Sequence, residues 1–157
     1  NYSDVDNLNT DQMFAGKYTY NILSSDPASI IPHLFEDFDP SFRSNVKPGD
    51  IIITGDNFGC GSSREHPSVG LAYAGISAII VKSVNRIFYR SSINQGLVLI
   101  VHREAAEAYK QGDNVSVSLE KGEITIGDKQ FSFEPLPGKL KEIIDKKGLV
   151  NYMKSAG

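Results

Sequence analysis

The chain has 157 residues, with 16 Lys and Arg against 19 Asp and Glu for a net charge of −3, and one cysteine. That length supports one domain with its own core. The acidic balance, with no basic stripe interleaved with aromatics, excludes a nucleic-acid surface. A lone cysteine excludes an internal disulfide framework, and also an iron–sulfur or thiolate–zinc site built by this chain alone. No apolar run approaches the ~20 residues that cross a bilayer. The first residues are polar and acidic and do not read as a signal peptide, so the expectation is a soluble, cytoplasmic protein. The chain begins without methionine, and a few native residues are expected to precede it.

Residues 1–22 are polar with scattered aromatics and read as loop with a short strand. Asp26-Pro27 opens a helix expected to run to about Phe35, with Ser25 or Asp26 as its cap and Pro32 shortening or kinking it. Val46-Lys47-Pro48-Gly49-Asp50 is a turn leading into an apolar strand, Ile51-Ile52-Ile53-Thr54. A glycine-rich loop follows, then a helix to about Ala74 stopped at Gly75. Ser77-Ala78-Ile79-Ile80-Val81-Lys82 is continuously apolar in its centre, as in a strand covered on both faces. Residues 85–95 form a short helix ended at Gly96, and Leu97-Val98-Leu99-Ile100-Val101 is a third strand. Alternation of strand and helix predicts a parallel sheet. After a small helix at 104–111, Val115-Ser116-Val117-Ser118-Leu119 alternates with period two. Residues 123–126 and 130–133 continue it as hairpins. Gly138 precedes an amphipathic helix over 139–145, and 149–154 is also read as helical. The expected fold is α/β: one domain, residues 1–157, with a parallel sheet core and an antiparallel β appendage.

The loop is the stretch that carries chemistry: Gly55-Asp56-Asn57-Phe58-Gly59-Cys60-Gly61-Ser62-Ser63-Arg64-Glu65-His66-Pro67. Glycine allows positive φ and close approach to the backbone. Free N–H groups and the positive dipole end at a helix start favour a carboxylate. Pro67 suits an early helical position, so Ser62 or Ser63 is read as the N-cap, with Glu65 or His66 in or near the first turn. Arg64 offers a planar fork that matches a carboxylate with two hydrogen bonds. Each residue alone has a plainer reading: capping serines, a surface arginine, Cys60 as a space-filler, His66 as a packed or hydrogen-bonded side chain. The string is not a P-loop, a G-x-G-x-x-G turn or a G-x-S-x-G elbow. His33, His66 and His102 show no ligand spacing.

Taken together, Gly55-Asp56-Asn57-Phe58-Gly59 and Gly61-Ser62-Ser63-Arg64-Glu65-His66 resemble the signature of the swivelling domain of the aconitase superfamily. Lys82-Ser83-Val84-Asn85-Arg86-Ile87-Phe88-Tyr89-Arg90 and Ile93-Asn94-Gln95-Gly96-Leu97 are similar to that family's next block. Asn9-Thr10-Asp11 and Gly16-Lys17-Tyr18 are similar to its opening Asp-Thr-Asp and Arg-Tyr-Leu segments. The likeness runs over nearly the whole chain and suits a stand-alone small subunit with a three-layer β/β/α swivelling fold.

The resemblance implies dehydration and rehydration of a hydroxy-di- or tricarboxylate. It implies Ser62 as the general base acting as an alkoxide, stabilised by backbone N–H groups of Ser63 and Arg64 at the helix start. It implies Arg64 as the carboxylate grip, and Asp11 as an orienting group or a loop-capping carboxylate. It implies a [4Fe–4S] cluster held by a separate large subunit and not by this chain, so the isolated chain is expected to be inactive. In such subunits the loop after the Tyr-Leu segment faces the variable substituent of the substrate. Here Lys17-Tyr18-Thr19-Tyr20-Asn21-Ile22 puts Tyr20 where an arginine suits an extra carboxylate. Tyr20 favours an apolar branch such as isopropyl or methyl over homoaconitate-like acids. Tyr20 as a packing residue and Lys17 as a substitute cation stay open, as does a stand-alone anion-binding module without chemistry.

Overall fold

The computed structural model describes residues 1–61, 64–134 and 137–156. In chain order the helices are α1 (Thr10–Met13), α2 (Pro27–Ile30), α3 (Phe42–Asn45), α4 (His66–Tyr73), α5 (Arg86–Asn94), α6 (Arg103–Ala108), α7 (Gly138–Asp145) and α8 (Leu149–Ala156). The strands are β1 (Ile51–Ile53), β2 (Ala78–Val81), β3 (Leu99–Val101), β4 (Val115–Ser118), β5 (Glu123–Ile126) and β6 (Lys129–Ser132). Short 3-10 turns occupy Gly16–Tyr18 and Ile31–His33.

β1, β2 and β3 pair in parallel in that order, with Ile52 opposite Ile79 and Ile79 opposite Leu99. All four β2 residues are buried, as its unbroken apolar run predicts for a central strand. Successive strand residues point to opposite faces. Ile79 and Val81 therefore enter one core with Val69, Leu71 and Phe88 of α4 and α5, while Ala78 and Ile80 enter a second. That second core contains Ile124 and Ile126 of β5 and Ala105 and Ala106 of α6. β4, β5 and β6 form an antiparallel sheet with Val117 opposite Ile124 and Ile124 opposite Phe131. Helices, parallel sheet and antiparallel sheet make three layers, the β/β/α arrangement expected. His102 joins the last two elements, its ring accepting from the Ala105 amide and lying 3.1 Å from the Ser132 carbonyl. No helix among the described residues is long and apolar enough to cross a membrane.

Three expectations are corrected. The helix opened by Asp26-Pro27 does not reach Phe35: α2 stops at Ile30 and a 3-10 turn carries the chain to His33, the shortening expected of Pro32. Pro32 has no N–H to give the α-helical bond, and Leu34 N–H instead reaches back three residues to Ile31. Asp26 stands at the N-cap position, but its carboxylate accepts the Ser29 hydroxyl and caps no backbone amide. The N-terminal segment has no strand among its described residues, only a single parallel bridge between Tyr2 and Thr54. In its place is α1, closed by a reciprocal capping box: Asn9 accepts from the Gln12 amide and Gln12 accepts from the Asn9 amide, each at 2.9 Å. Leu8 and Met13 flank it, both fully buried, as a hydrophobic staple.

Two glycines mark where segments approach too closely for a side chain. A Cβ on Gly55 would lie 2.2 Å from an Asp6 carboxylate oxygen and 2.6 Å from the Val5 carbonyl. A Cβ on Gly59 would lie 2.3 Å from the Phe88 ring, and Gly59 also has φ +78°. Gly59→Ala should therefore cost about 3 kcal/mol, from left-handed strain plus overpacking against Phe88. Urea unfolding of the two proteins checks it, and a shift of under about 1 kcal/mol would contradict the packing described.

Candidate active site

The loop after β1 crosses the carboxyl ends of the parallel strands, the edge where open α/β sheets bind ligands. Two separate segments lace it on opposite sides. On one side run residues 5–10. Gly55 N–H donates to Val5 O at 3.0 Å, Asn7 N–H to Asp56 O at 2.8 Å, Gly59 N–H to Leu8 O at 2.9 Å, and Thr10 N–H to Cys60 O at 2.9 Å. The Asp6 carboxylate accepts from the Asp56 amide at 2.7 Å. On the other side run residues 82–85. Phe58 N–H donates to Ser83 O, Asn85 N–H to Phe58 O, and Lys82 N–H to Gly55 O. Asn57 takes φ +56° at the bend, where its N–H meets Ser83 Oγ and its side chain donates to Asn7. The three family-like segments, distant in sequence, meet here.

Asp56 fixes the base of the loop. Arg103, at the start of α6, donates to both of its carboxylate oxygens, and Ser83 Oγ donates to one of them. The Arg103 hydrogen bonds hold the Asp56 carboxyl below the usual carboxylate range, against a smaller opposing effect of burial. In the same pairing Arg103 is pushed up.

Beyond the loop a small cleft opens, lined by Thr10, Asp11, Phe14, Thr19, Arg64, His66 and Pro67. Asp11 sits in the first turn of α1. From the point where a Gly16 Cβ would stand, Asp11 Oδ1 is 3.4 Å away and Arg64 Nη1 is 3.7 Å away. Asp11 and Arg64 thus both stand beside the Gly16 backbone. The Arg64 guanidinium carbon lies 6.0 Å from the centre of the Tyr20 ring. Tyr20 is 85% exposed, so it is no packing residue within this chain. Lys17 points elsewhere: its Nζ is 3.8 Å from Asp37 and 5.2 Å from the Tyr18 ring centre. The structure therefore places Asp11 and Arg64 in the cleft lining and the Tyr20 ring near Arg64, and leaves Lys17 with Asp37.

Ser62 and Ser63 lie outside the described residues. The reading of either as N-cap is nevertheless corrected, because α4 begins at His66 with Glu65 at the cap position. Pro67 is the cause. A helix capped at Ser63 would put Pro67 at its fourth residue, where an N–H is needed and the ring meets the carbonyl four residues back. Starting at His66 puts Pro67 second, where neither cost arises. Arg64 accordingly precedes the helix instead of lying in its first turn. Glu65 makes no side-chain cap bond; its carbonyl accepts from Val69 N–H and Ser68 Oγ. Cys60 is half-buried, and its carbonyl receives the Thr10 amide. His66 is buried and hydrogen-bonded, stacked on Phe14 at 5.2 Å with its Nε2 2.7 Å from the Ile22 carbonyl.

The lacing by residues 5–10 was not anticipated from the sequence. Its one legible signal was the Asn9-x-x-Gln12 capping box between Leu8 and Met13. The partnership of Asp56 with Arg103, 47 positions apart, has no local signal.

A parallel sheet backed by an antiparallel one, with a glycine-laced turn over its carboxyl ends, is the layout of an aconitase-type swivelling domain. Residues 3–105 match the aconitase C-terminal domain. The chain is 44% identical over 152 residues to the 3-isopropylmalate dehydratase small subunit of Caldanaerobacter subterraneus, covering 95% of this chain and 92% of that one. It is 42% identical over 153 residues to 3-isopropylmalate dehydratase small subunit 1 of Archaeoglobus fulgidus, covering 96% and 92%. It matches the crystal structure of 3-isopropylmalate dehydratase from Methanocaldococcus jannaschii with a TM-score of 0.85 and 40% identity, covering 96% and 89%. The chain belongs to the aconitase C-terminal domain family, among its dehydratase small subunits.

The Asp56 pairing gives a pH prediction. Because the folded carboxyl is lowered, its contribution to stability is complete above the unfolded aspartate range, about pH 4, and is lost as pH falls through the folded value. Asp56→Asn should be less stable than the parent at neutral pH, and the gap should close in acid. Urea midpoints measured for both proteins from pH 7 to pH 2 check this. A gap independent of pH would show that the pairing is not what Asp56 contributes.

Proposed function

We propose that this chain, read as one domain over residues 1–157, is the small subunit of a cytoplasmic 3-isopropylmalate dehydratase. It isomerises a branched hydroxy-dicarboxylate by loss and return of water, in leucine biosynthesis, together with a large subunit. The observation that carries the reading is the placing of Asp11 and Arg64 in one cleft beside the glycine-laced loop, with the Tyr20 ring near Arg64.

In this reading Arg64 grips a substrate carboxylate through its two-pronged fork and fixes the C–H bond against the base. Ser62, two residues earlier, takes the proton from the carbon beside that carboxylate. A serine hydroxyl ionises only where its alkoxide is stabilised by oriented donors. Those donors are assigned to the backbone of Ser63 and Arg64. Asp11, which lines the cleft with Arg64, orients the guanidinium. Tyr20 receives the variable branch. Among the described residues lining the cleft, Arg64 is the one Lys or Arg. A second carboxylate there would be buried without a cation, so the site suits an apolar branch. Lys17, engaged with Asp37, reaches the substrate only by leaving that partner.

Loss of hydroxide needs a Lewis acid, and this chain does not fit that role. It has one cysteine, and no group of three His, Cys, Asp or Glu side chains among the described residues could hold a metal. The [4Fe–4S] cluster is therefore assigned to the large subunit, with the active site formed between the two chains.

Reconstituted with its cluster-bearing large subunit, Ser62→Ala should lower kcat by about a thousandfold while substrate binding persists. Arg64→Gln should lower kcat/KM at least about a hundredfold, mainly through lost positioning. Turnover of isopropyl-branched, methyl-branched and carboxylate-bearing substrates by the complex tests the reading directly. Exclusive use of a tricarboxylate would overturn the role given to Tyr20, and binding without any turnover would make the chain an anion-binding module.

A further inference from the structure

His66 does something that neither packing nor the proposed chemistry requires. It is 8% exposed and lies parallel to Phe14, with 7° between the ring planes. Its Nε2 meets the Ile22 carbonyl, 44 residues away, at 2.7 Å. A carbonyl only accepts, so Nε2 carries the proton. Its Nδ1 is buried and has no hydrogen-bond partner among the described residues. A phenyl ring would keep the stack on Phe14 without burying a bare nitrogen. What the imidazole adds is the Nε2–H donor.

That donor reaches the segment that presents Tyr20. Residues 16–22 form a turn with internal bonds from Thr19 N–H to Gly16 O and from Ile22 N–H to Tyr18 O. Its first half is pinned by Tyr18, whose ring stacks on His33 at 4.0 Å and whose hydroxyl donates to Glu36 at 2.7 Å. Those contacts tie the turn to residues 33–36, away from the cleft. The His66 bond ties its other half to the start of α4, two residues after Arg64. Tyr20 stands between the two pins, exposed, with its ring over Arg64.

We propose that His66 is a positioning residue. Its Nε2–H···O=C bond to Ile22 clasps the Tyr20 turn to the Arg64 segment and so sets how the substrate's branch fits against the gripped carboxylate. The clasp is a property of the chain alone; its effect on the branch rests on the function proposed above.

Hydrogen exchange on the full chain reads the clasp directly. In His66→Phe, amides of residues 19–22 should exchange at least about tenfold faster, and His66→Gln, which keeps a donor near the Nε2 position, should restore them. In the wild-type chain, 15N-labelled histidine should show a His66 Nε2–H signal protected from solvent exchange, a measurement that needs no variant. In the complex with its large subunit, His66→Phe should lower the kcat/KM preference for an isopropyl-branched over a methyl-branched malate by about fivefold, mainly through KM, with rescue by glutamine. An unprotected Nε2–H, or unchanged exchange in His66→Phe, overturns the clasp. Faster exchange with an unchanged preference overturns its role in selection. Wild-type turnover of the isopropyl-branched malate tests the proposed function separately, so the two can fail independently.

Discussion

The structure depends on backbone hydrogen bonding to both sides of one short loop. Residues 55–60 leave β1 with amides and carbonyls that no helix or sheet ladder satisfies. Left buried and unpaired, such groups are costly. Residues 5–10 take one edge and residues 82–85 take the other, at distances of 2.7–3.2 Å. This arrangement explains the local composition. Gly55 and Gly59 lack side chains because Val5, Asp6 and Phe88 occupy that space. Asn57 bends the chain with φ +56° and uses its amide side chain to hold Asn7.

The cleft follows from that lacing. Once residues 5–10 are fastened to the loop, the capping box at Asn9 starts α1 directly beside it, and Asp11 lines the same cleft as Arg64. Hydroxy-acid chemistry of this type needs a carboxylate held still while a weak carbon acid loses its proton. Residues 55–60, which lead toward Arg64, are hydrogen-bonded on both sides. The Asp56–Arg103 pair extends the bracing to α6 and thus to the layer carrying the antiparallel sheet. His66 and Tyr18 extend it in the other direction, to the turn that carries Tyr20.

The division of labour between subunits has a matching physical logic. This chain holds an arginine, a carboxylate and an exposed aromatic at an open edge. Tyr20 and Leu23 stand largely exposed on the same turn, at 85% and 72%. A dehydratase small subunit works with a large subunit.

Periodicity alone was enough for the two sheets, while their stacking in three layers was implied by the family resemblance. Three apolar runs separated by helical stretches dictated a parallel sheet, because strands covered on both faces cannot alternate. Strict alternation at 115–119 dictated the antiparallel one. The string from Gly55 to Pro67 was enough to mark a turn between β1 and α4. What it did not show was where α4 begins: the cap preference of serine is worth about 1 kcal/mol, whereas a misplaced proline costs about 3, and Pro67 decided the start at His66. The N-terminal lacing, the Asp56–Arg103 pair and the His66–Ile22 bond join residues 44–51 positions apart. No window of sequence contains both partners of such contacts. Only the folded sheet, by setting its carboxyl edge under the loop, brings them within hydrogen-bonding range.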